Sequence, residues 1–361
     1  MKDYVFILGR DFELSLLEIV SYLKARGVNF LLKEKNKQFA VFSLPVLDFA
    51  KMGNSLGGTI KIGEVITNFD NLYMGTENKV VYSLNIFTQD EAFISDVEYS
   101  LKAYFKKEKI KAISRKNLER KPSRSASMDI ELILFSNQTA KVINVFNPKE
   151  YKQRDETRPH FDAAKVTSLR LAKILINLAQ LKPSQTLLDP FCGTGSILQE
   201  GVLQGIYSIG VDFDKRTLDQ AEKNLEWLGN KHYESWKVMY GDAKRVSSFI
   251  KKVDSVVTEP FLGPYLKKYL SYNQALKLKE ELEFLYTSVL KQLNVIVKNK
   301  VVFIFPRFKT DQNKRVNLDI DKILLNSGFK AYTPLAEIGI PIPYFHKDSF
   351  IERFIYILEK C

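Results

Sequence analysis

The sequence of 361 residues is poor in cysteine and histidine and has no long apolar run. Only Cys192 and Cys361 occur, which is too few for a disulfide framework and favours a reducing, cytoplasmic compartment. The histidines, His160, His232 and His346, show no metal-ligand spacing, so we expect no metal site. No apolar run is long enough to span a membrane, and the N-terminal residues MKDYVFILGRDFE carry acids where a signal peptide needs apolar residues. We therefore expect no membrane partner.

Acidic residues are outnumbered by basic ones. The chain has 54 Lys and Arg against 42 Asp and Glu, a net charge of +12 at pH 7, and its isoelectric point is about 9.3. This excess suggests a polyanionic partner such as nucleic acid, although extra lysine also serves solubility. A hydrophobic content of 45% with 27% charged residues is ordinary for a soluble globular protein. The length predicts two or three domains.

The stretch at residues 186–212 has the pattern of a nucleotide-binding unit. A short apolar run ends on Asp189, and a glycine-rich turn, CGTG, follows at residues 192–195. A helical pattern at residues 196–203 leads to a second apolar run that ends on Asp212. Strand, glycine turn, helix, strand and acid form the first half of a doubly wound sheet, with a ligand over the strand ends.

The turn reads DPFCGTG, so the dinucleotide fingerprint and the P-loop are both incomplete. It closely resembles motif I of the S-adenosylmethionine-dependent methyltransferases that modify amino groups of nucleic-acid bases. The resemblance implies S-adenosylmethionine as cofactor, with its amino-acid end in the loop of Asp189, Phe191, Gly193 and Gly195. It also implies that Asp212 binds the ribose.

Two further segments fit the same family. Asp242 follows a predicted third strand, where the resemblance assigns the acid a hydrogen bond to the adenine amino group. Arg158, Pro159 and the predicted helix at residues 168–181 resemble motif X, which covers the cofactor from its N-terminal side. We expect Arg158 and Phe161 to line the cofactor site.

The stretch DSVVTEPFLGPY at residues 254–265 begins with a predicted fourth strand. Amino-methyltransferases end this strand on [DNS]-P-P-[YF], whose polar residue and a backbone carbonyl accept hydrogen bonds from the target amine and whose aromatic ring stacks on the extruded base. This sequence departs from the pattern, and two registers are open. In the one that we prefer, Glu259 takes the polar position; in the other, Thr258 takes it and Pro260 and Phe261 match unchanged. We expect Phe261 to stack on the base.

The N-terminal half predicts two α+β segments. The order β-α-β-β-α-β in the first seventy residues is that of a ferredoxin-like domain, and polar residues 68–78 indicate a boundary. The second segment is densely basic, and the residues that we expect to contact phosphates are Lys102, Lys106, Lys107, Lys109, Lys111, Arg115, Lys116, Arg120, Lys121 and Arg124. For any single lysine, a solvated helix face or loop is the simpler interpretation.

Such a module ahead of this kind of methyltransferase resembles the THUMP-containing RNA-modifying enzymes, and the whole chain resembles the tRNA guanine-10 N2-methyltransferases. The resemblance implies a ferredoxin-like domain at 1–70, a THUMP-like RNA-binding domain at 71–150 and a linker at 151–166. A Rossmann-like class I methyltransferase domain of the α/β class, with a seven-stranded sheet, follows at 167–361.

The implied activity is methyl transfer to an exocyclic amine of an RNA base, with guanine N2 favoured. The implied partner is tRNA or another structured RNA, bound by a monomer, and the family leaves room for a small activating protein. Two alternatives stay open: a DNA adenine or cytosine amino-methyltransferase, and a non-catalytic RNA-binding protein that keeps the cofactor fold.

Overall fold

The computed structural model describes residues 1–116, 128–160, 167–345 and 349–361. The chain divides into two compact units, each of which takes two segments of the sequence. The first unit consists of Met1–Leu16 and Gly27–Arg154, and the second consists of Leu17–Arg26 and Asp155–Cys361. None of the helices in the described ranges is both long enough and apolar enough to cross a bilayer.

The N-terminal part of the chain is an α+β arrangement around one sheet. Its strands are β1 (Lys2–Leu8), β2 (Leu31–Lys35), β3 (Phe39–Leu44), β4 (Thr59–Ile66), β5 (Lys79–Ile86), β6 (Lys111–Lys116), β7 (Ile130–Phe135) and β8 (Gln138–Val145). Its helices are α1 (Phe12–Ala25), α2 (Phe49–Ser55) and α3 (Glu91–Lys107), and α4 (Pro148–Thr157) follows the last strand. Over the described residues the strand order is β2-β3-β1-β4-β8-β7-β5-β6.

The β-α-β-β-α-β order predicted for the first seventy residues is confirmed. Strand β4 then pairs antiparallel with β8, so that both predicted α+β segments contribute to the same sheet. A buried polar cluster joins them as well, because Lys61 on β4 pairs with Glu131 on β7 and donates to the Asn85 side chain on β5 at 2.7 Å. The ferredoxin-like and THUMP-like labels and the boundary near residue 70 stay predictions.

The second unit is built on a mainly parallel sheet. Its strands are β9 (Thr186–Asp189), β10 (Tyr207–Asp212), β11 (Trp236–Tyr240), β12 (Ser255–Thr258), β13 (Val301–Lys309), β14 (Arg315–Asn317), β15 (Phe329–Ala331), β16 (Ile342–Tyr344) and β17 (Ile351–Lys360). Within the described ranges the continuous path is β11-β10-β9-β12-β13-β17-β15, and β14 and β16 add to β13 and β17. The sheet has nine strands over the described residues, whereas seven were predicted, and β14 and β16 are three-residue strands off the main path.

The helices that follow α4 are α5 (Leu169–Leu178), α6 (Ser196–Leu203), α7 (Lys215–Glu226), α8 (Tyr272–Ile296) and α9 (Ile320–Ser327). Capping residues fix where they begin: the Asp214 carboxylate accepts from two backbone N–H groups of α7, and Ser271 with Gln274 forms a capping box at α8. The apolar face of α8 packs against β13 in the main core, with Tyr286, Val289 and Phe303 all buried. This packing holds the strand ends at which the site is formed.

Strands β9, β10, β11, β12 and β13 are parallel neighbours, whereas β17 runs antiparallel to β13. The carboxyl ends of the parallel strands therefore share one edge. Asp189 and Asp212 end two of these strands, and Glu259 directly follows a third. Ligands of open α/β sheets bind at this edge.

Candidate active site

A cavity of about 620 Å³ opens at the carboxyl ends of β9 and β12. Its lining comes from Thr167, the glycine turn after β9 with the start of α6, the segment after β12, and the start of β17. Of the predicted site residues, those that line it are Asp189, Phe191, Gly193, Glu259, Pro260 and Phe261. The same volume is large enough for a small ligand beside a nucleobase.

The glycine turn is fixed by backbone hydrogen bonds. The amide of Cys192 donates to the carbonyl of Val211 at 3.0 Å, and the amide of Gly195 donates to the carbonyl of Cys192 at 2.8 Å. Gly193 and Gly195 have φ values of +51° and +84°, which residues with a Cβ atom rarely adopt. A Cβ placed on Gly193 would meet no atom within 4 Å, so open space lies beside this backbone.

Asp212 supports the turn from the neighbouring strand. Its Oδ2 accepts the amide of Gly193 at 3.0 Å, and its Oδ1 accepts the amide of Asp214 at 3.0 Å. A carboxylate oxygen has two lone pairs, so each oxygen keeps one acceptor position.

Asp242, after β11, is exposed and accepts the amide of Lys244 at 2.9 Å. Neither Asp212 nor Asp242 belongs to the cavity lining.

Asp189 is buried at the inner end of the cavity. Its Oδ1 accepts the hydroxyl of Thr258 at 2.7 Å and the amide of Phe191 at 3.1 Å. Burial raises the pKa of Asp189 to about 7, and the hydrogen bond from Thr258 works in the opposite direction. Thr258 is itself fully buried. Its hydroxyl therefore faces Asp189 and does not line the cavity.

Glu259 presents its carboxylate to the cavity, held by two side chains that the sequence analysis did not identify. Oε2 accepts the hydroxyl of Thr167 at 2.6 Å, and Oε1 lies 2.7 Å from Nε of Arg353. The Glu259 side chain is 13% exposed and that of Arg353 is 43% exposed. This arrangement favours the register in which Glu259, and not Thr258, takes the polar position of motif IV.

Phe261 lies at the mouth of the cavity with 48% of its surface exposed. Its carbonyl accepts the hydroxyl of the buried Tyr286 at 2.7 Å, which fixes the backbone while the ring stays accessible. Burial raises the pKa of Tyr286 well above its usual value, so the phenol is a neutral donor. Tyr265 is a second exposed aromatic residue in the lining.

Arg158 supports the site from behind and does not line the cavity. Its guanidinium is buried and donates to the hydroxyl of Ser196, the first residue of α6, at 2.9 Å. It also pairs with Asp155 at 3.3 Å. Burial lowers the pKa of Arg158, and Asp155 and Glu200 act against that shift. The expectation that Arg158 contacts the cofactor stays a prediction, and Phe161 lies outside the described residues.

Asn224 on α7 hydrogen-bonds both the segment that ends at His160 and the glycine turn. Its Nδ2 donates to the carbonyls of His160 and Thr194 at 2.9 and 3.0 Å, and its Oδ1 accepts the amide of His160 at 2.9 Å. In the sequence, an asparagine in a helix otherwise rich in charge is the signal for this role. Arg353 had none, because it is far from Glu259 in sequence and reaches it only through the sheet.

Comparison with known proteins agrees with this geometry. A model of the RMKL-like methyltransferase domain matches residues 156–314, and a DNA methylase model matches residues 18–223, more than half of the chain. The tRNA (guanine(10)-N2)-dimethyltransferase of Methanothermobacter thermautotrophicus is 36% identical over 120 residues, 33% of this chain and 34% of the relative. The enzyme of the same name from Methanocaldococcus jannaschii is 30% identical over 211 residues, 56% of this chain and 53% of the relative.

These matches span between about a third and a half of the relatives' length. The crystal structure of TrmN from Thermus thermophilus aligns with a TM-score of 0.52 over 99% of this chain and 100% of that chain, at 15% identity. At this identity the likeness shows a common fold. The chain therefore belongs to the DNA methylase family, whose model matches more than half of it, and it is similar to the RMKL-like methyltransferase domain and to the tRNA (guanine(10)-N2)-dimethyltransferases.

Proposed function

We propose that this protein transfers a methyl group from S-adenosylmethionine to the N2 amine of a guanine in tRNA, in the cytoplasm. The observation that carries the proposal is the single cavity shared by the glycine turn and Glu259. The side formed by the glycine turn suits the cofactor, and the side formed by Glu259 and Phe261 suits an amine on an aromatic base. The names of the two relatives described above indicate the guanine amine and tRNA as substrate.

The cofactor side offers S-adenosylmethionine open space beside the backbone and acceptor positions for its hydroxyls. Gly193 leaves open space where a side chain would stand, so a ligand can approach the backbone of the turn. Asp212 keeps an acceptor position on each oxygen, which suits the two hydroxyls of a ribose. When bound, the cofactor supplies a methyl group on a sulfonium, which is already strongly electrophilic and needs no acid catalyst from the protein.

The target side must compensate for a weak nucleophile. The lone pair of the guanine N2 amine is delocalised into the ring, and positive charge develops on that nitrogen as it reacts. Glu259 accepts a hydrogen bond from the amine, which orients it and stabilises the developing charge. Thr167 and Arg353 keep the carboxylate in one place before the base arrives. Phe261 supplies a stacking surface for a base that has left its helix.

Methylation of tRNA can be tested directly. Wild-type protein and labelled S-adenosylmethionine are incubated with tRNA, and the nucleosides are then separated and identified by mass spectrometry. We expect label in N2-methylguanosine, with little in the sample that contains Glu259→Gln. If the wild-type protein labels no nucleoside of any RNA but still binds RNA, the non-catalytic alternative replaces this proposal.

Cofactor binding is tested separately with Asp212→Ala. The change removes charge-assisted hydrogen bonds of about 1.5–3 kcal/mol each, so we expect affinity for S-adenosylmethionine to fall roughly ten- to a hundred-fold. Calorimetry measures this, with Asp214→Ala as the control, because that residue caps α7 and should affect stability more than affinity. Equal affinity of Asp212→Ala and wild type would show that the ribose is bound elsewhere.

The match to a DNA methylase model supports a second candidate, an amino-methyltransferase that acts on adenine or cytosine of DNA. The same labelling assay with duplex DNA distinguishes the two candidates, because the modified nucleoside differs. The expectation of a monomer that a small activating protein could assist is tested by light scattering and by assays with and without cell extract.

A further inference from the structure

Arg353 lines the cavity but belongs to none of the sequence motifs described above. It lies on β17, opposite Pro306 of β13 in the strand pairing, and its side chain reaches across to Glu259. Almost half of that side chain is exposed, and it lines the cavity together with Phe261 and Tyr265. The Arg353 guanidinium can therefore contact a ligand that is bound to the Glu259 carboxylate.

The Arg353 guanidinium has donors left over. An arginine carries five N–H groups in one rigid plane, and Nε of Arg353 lies 2.7 Å from Oε1 of Glu259 as an ion pair. Within the part of the chain that the structure describes, Glu259 is the only ion-pair partner of Arg353. The terminal N–H groups are therefore available to an acceptor that lies next to the carboxylate.

Glu259 has acceptor positions left over as well. Its two oxygens offer about four lone-pair positions, of which the Thr167 hydroxyl occupies one while the Arg353 guanidinium lies beside Oε1. Oε2 faces Thr167 and Oε1 faces Arg353. Across the cavity, the two Glu259 oxygens are therefore two acceptors in a row, and the Arg353 guanidinium follows them as a donor. Guanine carries the complementary order on its pairing edge, which is the 2-amino group, the N1 hydrogen and the O6 carbonyl.

We propose that Arg353 is a specificity residue that donates a hydrogen bond to O6 of the target guanine, while Glu259 accepts from the 2-amino group and N1. The inference rests on the proposed function and adds the residue that selects the base. Adenine and cytosine each place a ring-nitrogen acceptor next to their amino group. That nitrogen would face Glu259, and unpaired acceptors facing each other in a partly dry site are costly.

The test pairs a protein variant with a change in the base. RNA is prepared with either guanine or 2-aminopurine at the methylated position. 2-Aminopurine keeps the 2-amino group and lacks both O6 and the N1 hydrogen. Single-turnover rates are measured for wild type, Arg353→Met and Arg353→Lys. The control is Arg315→Met, which removes an exposed cation that pairs with Glu352 outside the cavity lining.

We expect wild type and Arg315→Met to prefer guanine strongly. Arg353→Met should react about ten- to a hundred-fold more slowly with guanine, and its preference over 2-aminopurine should shrink by a similar factor. Arg353→Lys keeps the charge but has no planar pair of donors, so the preference of this variant for guanine over 2-aminopurine should also shrink. Fluorescence of 2-aminopurine, which rises on unstacking, reports whether each variant still takes up the base.

Each outcome has one meaning. An unchanged preference in Arg353→Met and Arg353→Lys overturns the inference and leaves the proposed function intact. If wild type methylates no guanine at all, the proposed function fails and this inference fails with it. If Arg353→Met does not fold, as thermal unfolding would show, Arg353→Lys decides: an unchanged preference in that variant overturns the inference.

Discussion

Glu259 and Thr258 are neighbours in sequence whose side chains have different surroundings. Glu259 is a cavity residue, whereas the hydroxyl of Thr258 is committed to Asp189. We therefore expect Glu259→Gln to lower the single-turnover rate on the order of a hundred- to a thousand-fold without changing affinity for S-adenosylmethionine. Thr258→Val should have a smaller effect on rate. If instead Thr258→Val were inactive and Glu259→Gln ran at the wild-type rate, the shifted register of motif IV would be correct.

Asp189 makes stability depend on pH. Its folded pKa of about 7 lies above the usual value for aspartate, so the folded state binds the proton more tightly than the unfolded state does. The stability from this proton is complete below about pH 4 and is lost as the pH rises through about 7, at about 1.4 kcal/mol for each unit of the pKa difference. Asp189→Asn removes this dependence.

The measurement is the free energy of unfolding of wild type and Asp189→Asn between pH 4 and 8, in the absence of cofactor. We expect the stability of the variant relative to wild type to rise between about pH 4 and 7 and then to level off. A difference that is independent of pH would mean that Asp189 does not take up a proton on folding.

At the scale of elements, the Asn224 side chain joins α7 to the glycine turn by hydrogen bonds. Asn224 makes three hydrogen bonds, two to His160 and one to Thr194. At about 1 kcal/mol for each bond, Asn224→Ala should destabilise the protein by about 3 kcal/mol. It should also weaken cofactor binding, because Thr194 belongs to the turn.

Denaturant unfolding and calorimetry measure the two effects, with Glu222→Ala on the exposed face of the same helix as the control. Cofactor affinity that stays at the wild-type value in a destabilised Asn224→Ala protein would show that the turn keeps its shape without this attachment.

The sequence predicted most elements near the site because their patterns are local. The predicted helix at residues 196–203 is confirmed as α6, and the parallel order follows from alternating strands and helices. The predicted linker at residues 151–166 overlaps α4 at Pro148–Thr157, and the helix was missed because its charged sequence has no apolar stripe. Arg353 could not be predicted, because only the pairing of β17 with β13 brings it near Glu259.

At the scale of the whole molecule, positive charge is concentrated at one edge of the first unit. The basic residues at the end of α3 and on the edge strand β6 are exposed, namely Lys102, Lys106, Lys107, Lys109, Lys111 and Arg115. Arg120, Lys121 and Arg124 of the same predicted cluster lie outside the described residues. Exposed cations beside each other on one surface suit the phosphates of an RNA backbone.

We expect binding of tRNA to weaken steeply with salt, and each lost phosphate contact to reduce the slope of log affinity against log salt by about 0.7–0.9. The variant is the combined Lys107→Glu, Lys109→Glu and Arg115→Glu, and the control is Lys291→Glu, an exposed lysine on α8. Filter binding across a salt series measures the slopes. Identical slopes for the combined variant and the control would place the RNA on another surface.

The pairing of β4 with β8 has a consequence for how the protein is made. The first four strands emerge from the ribosome early, but β4 has its neighbour on one side only after residues 138–145 have been synthesised. Until then β4 is an open strand edge with free backbone donors and acceptors, which is a site for aggregation. The nascent chain is therefore prone to aggregation while the residues between β4 and β8 are being synthesised, and this is the period in which a chaperone would be needed.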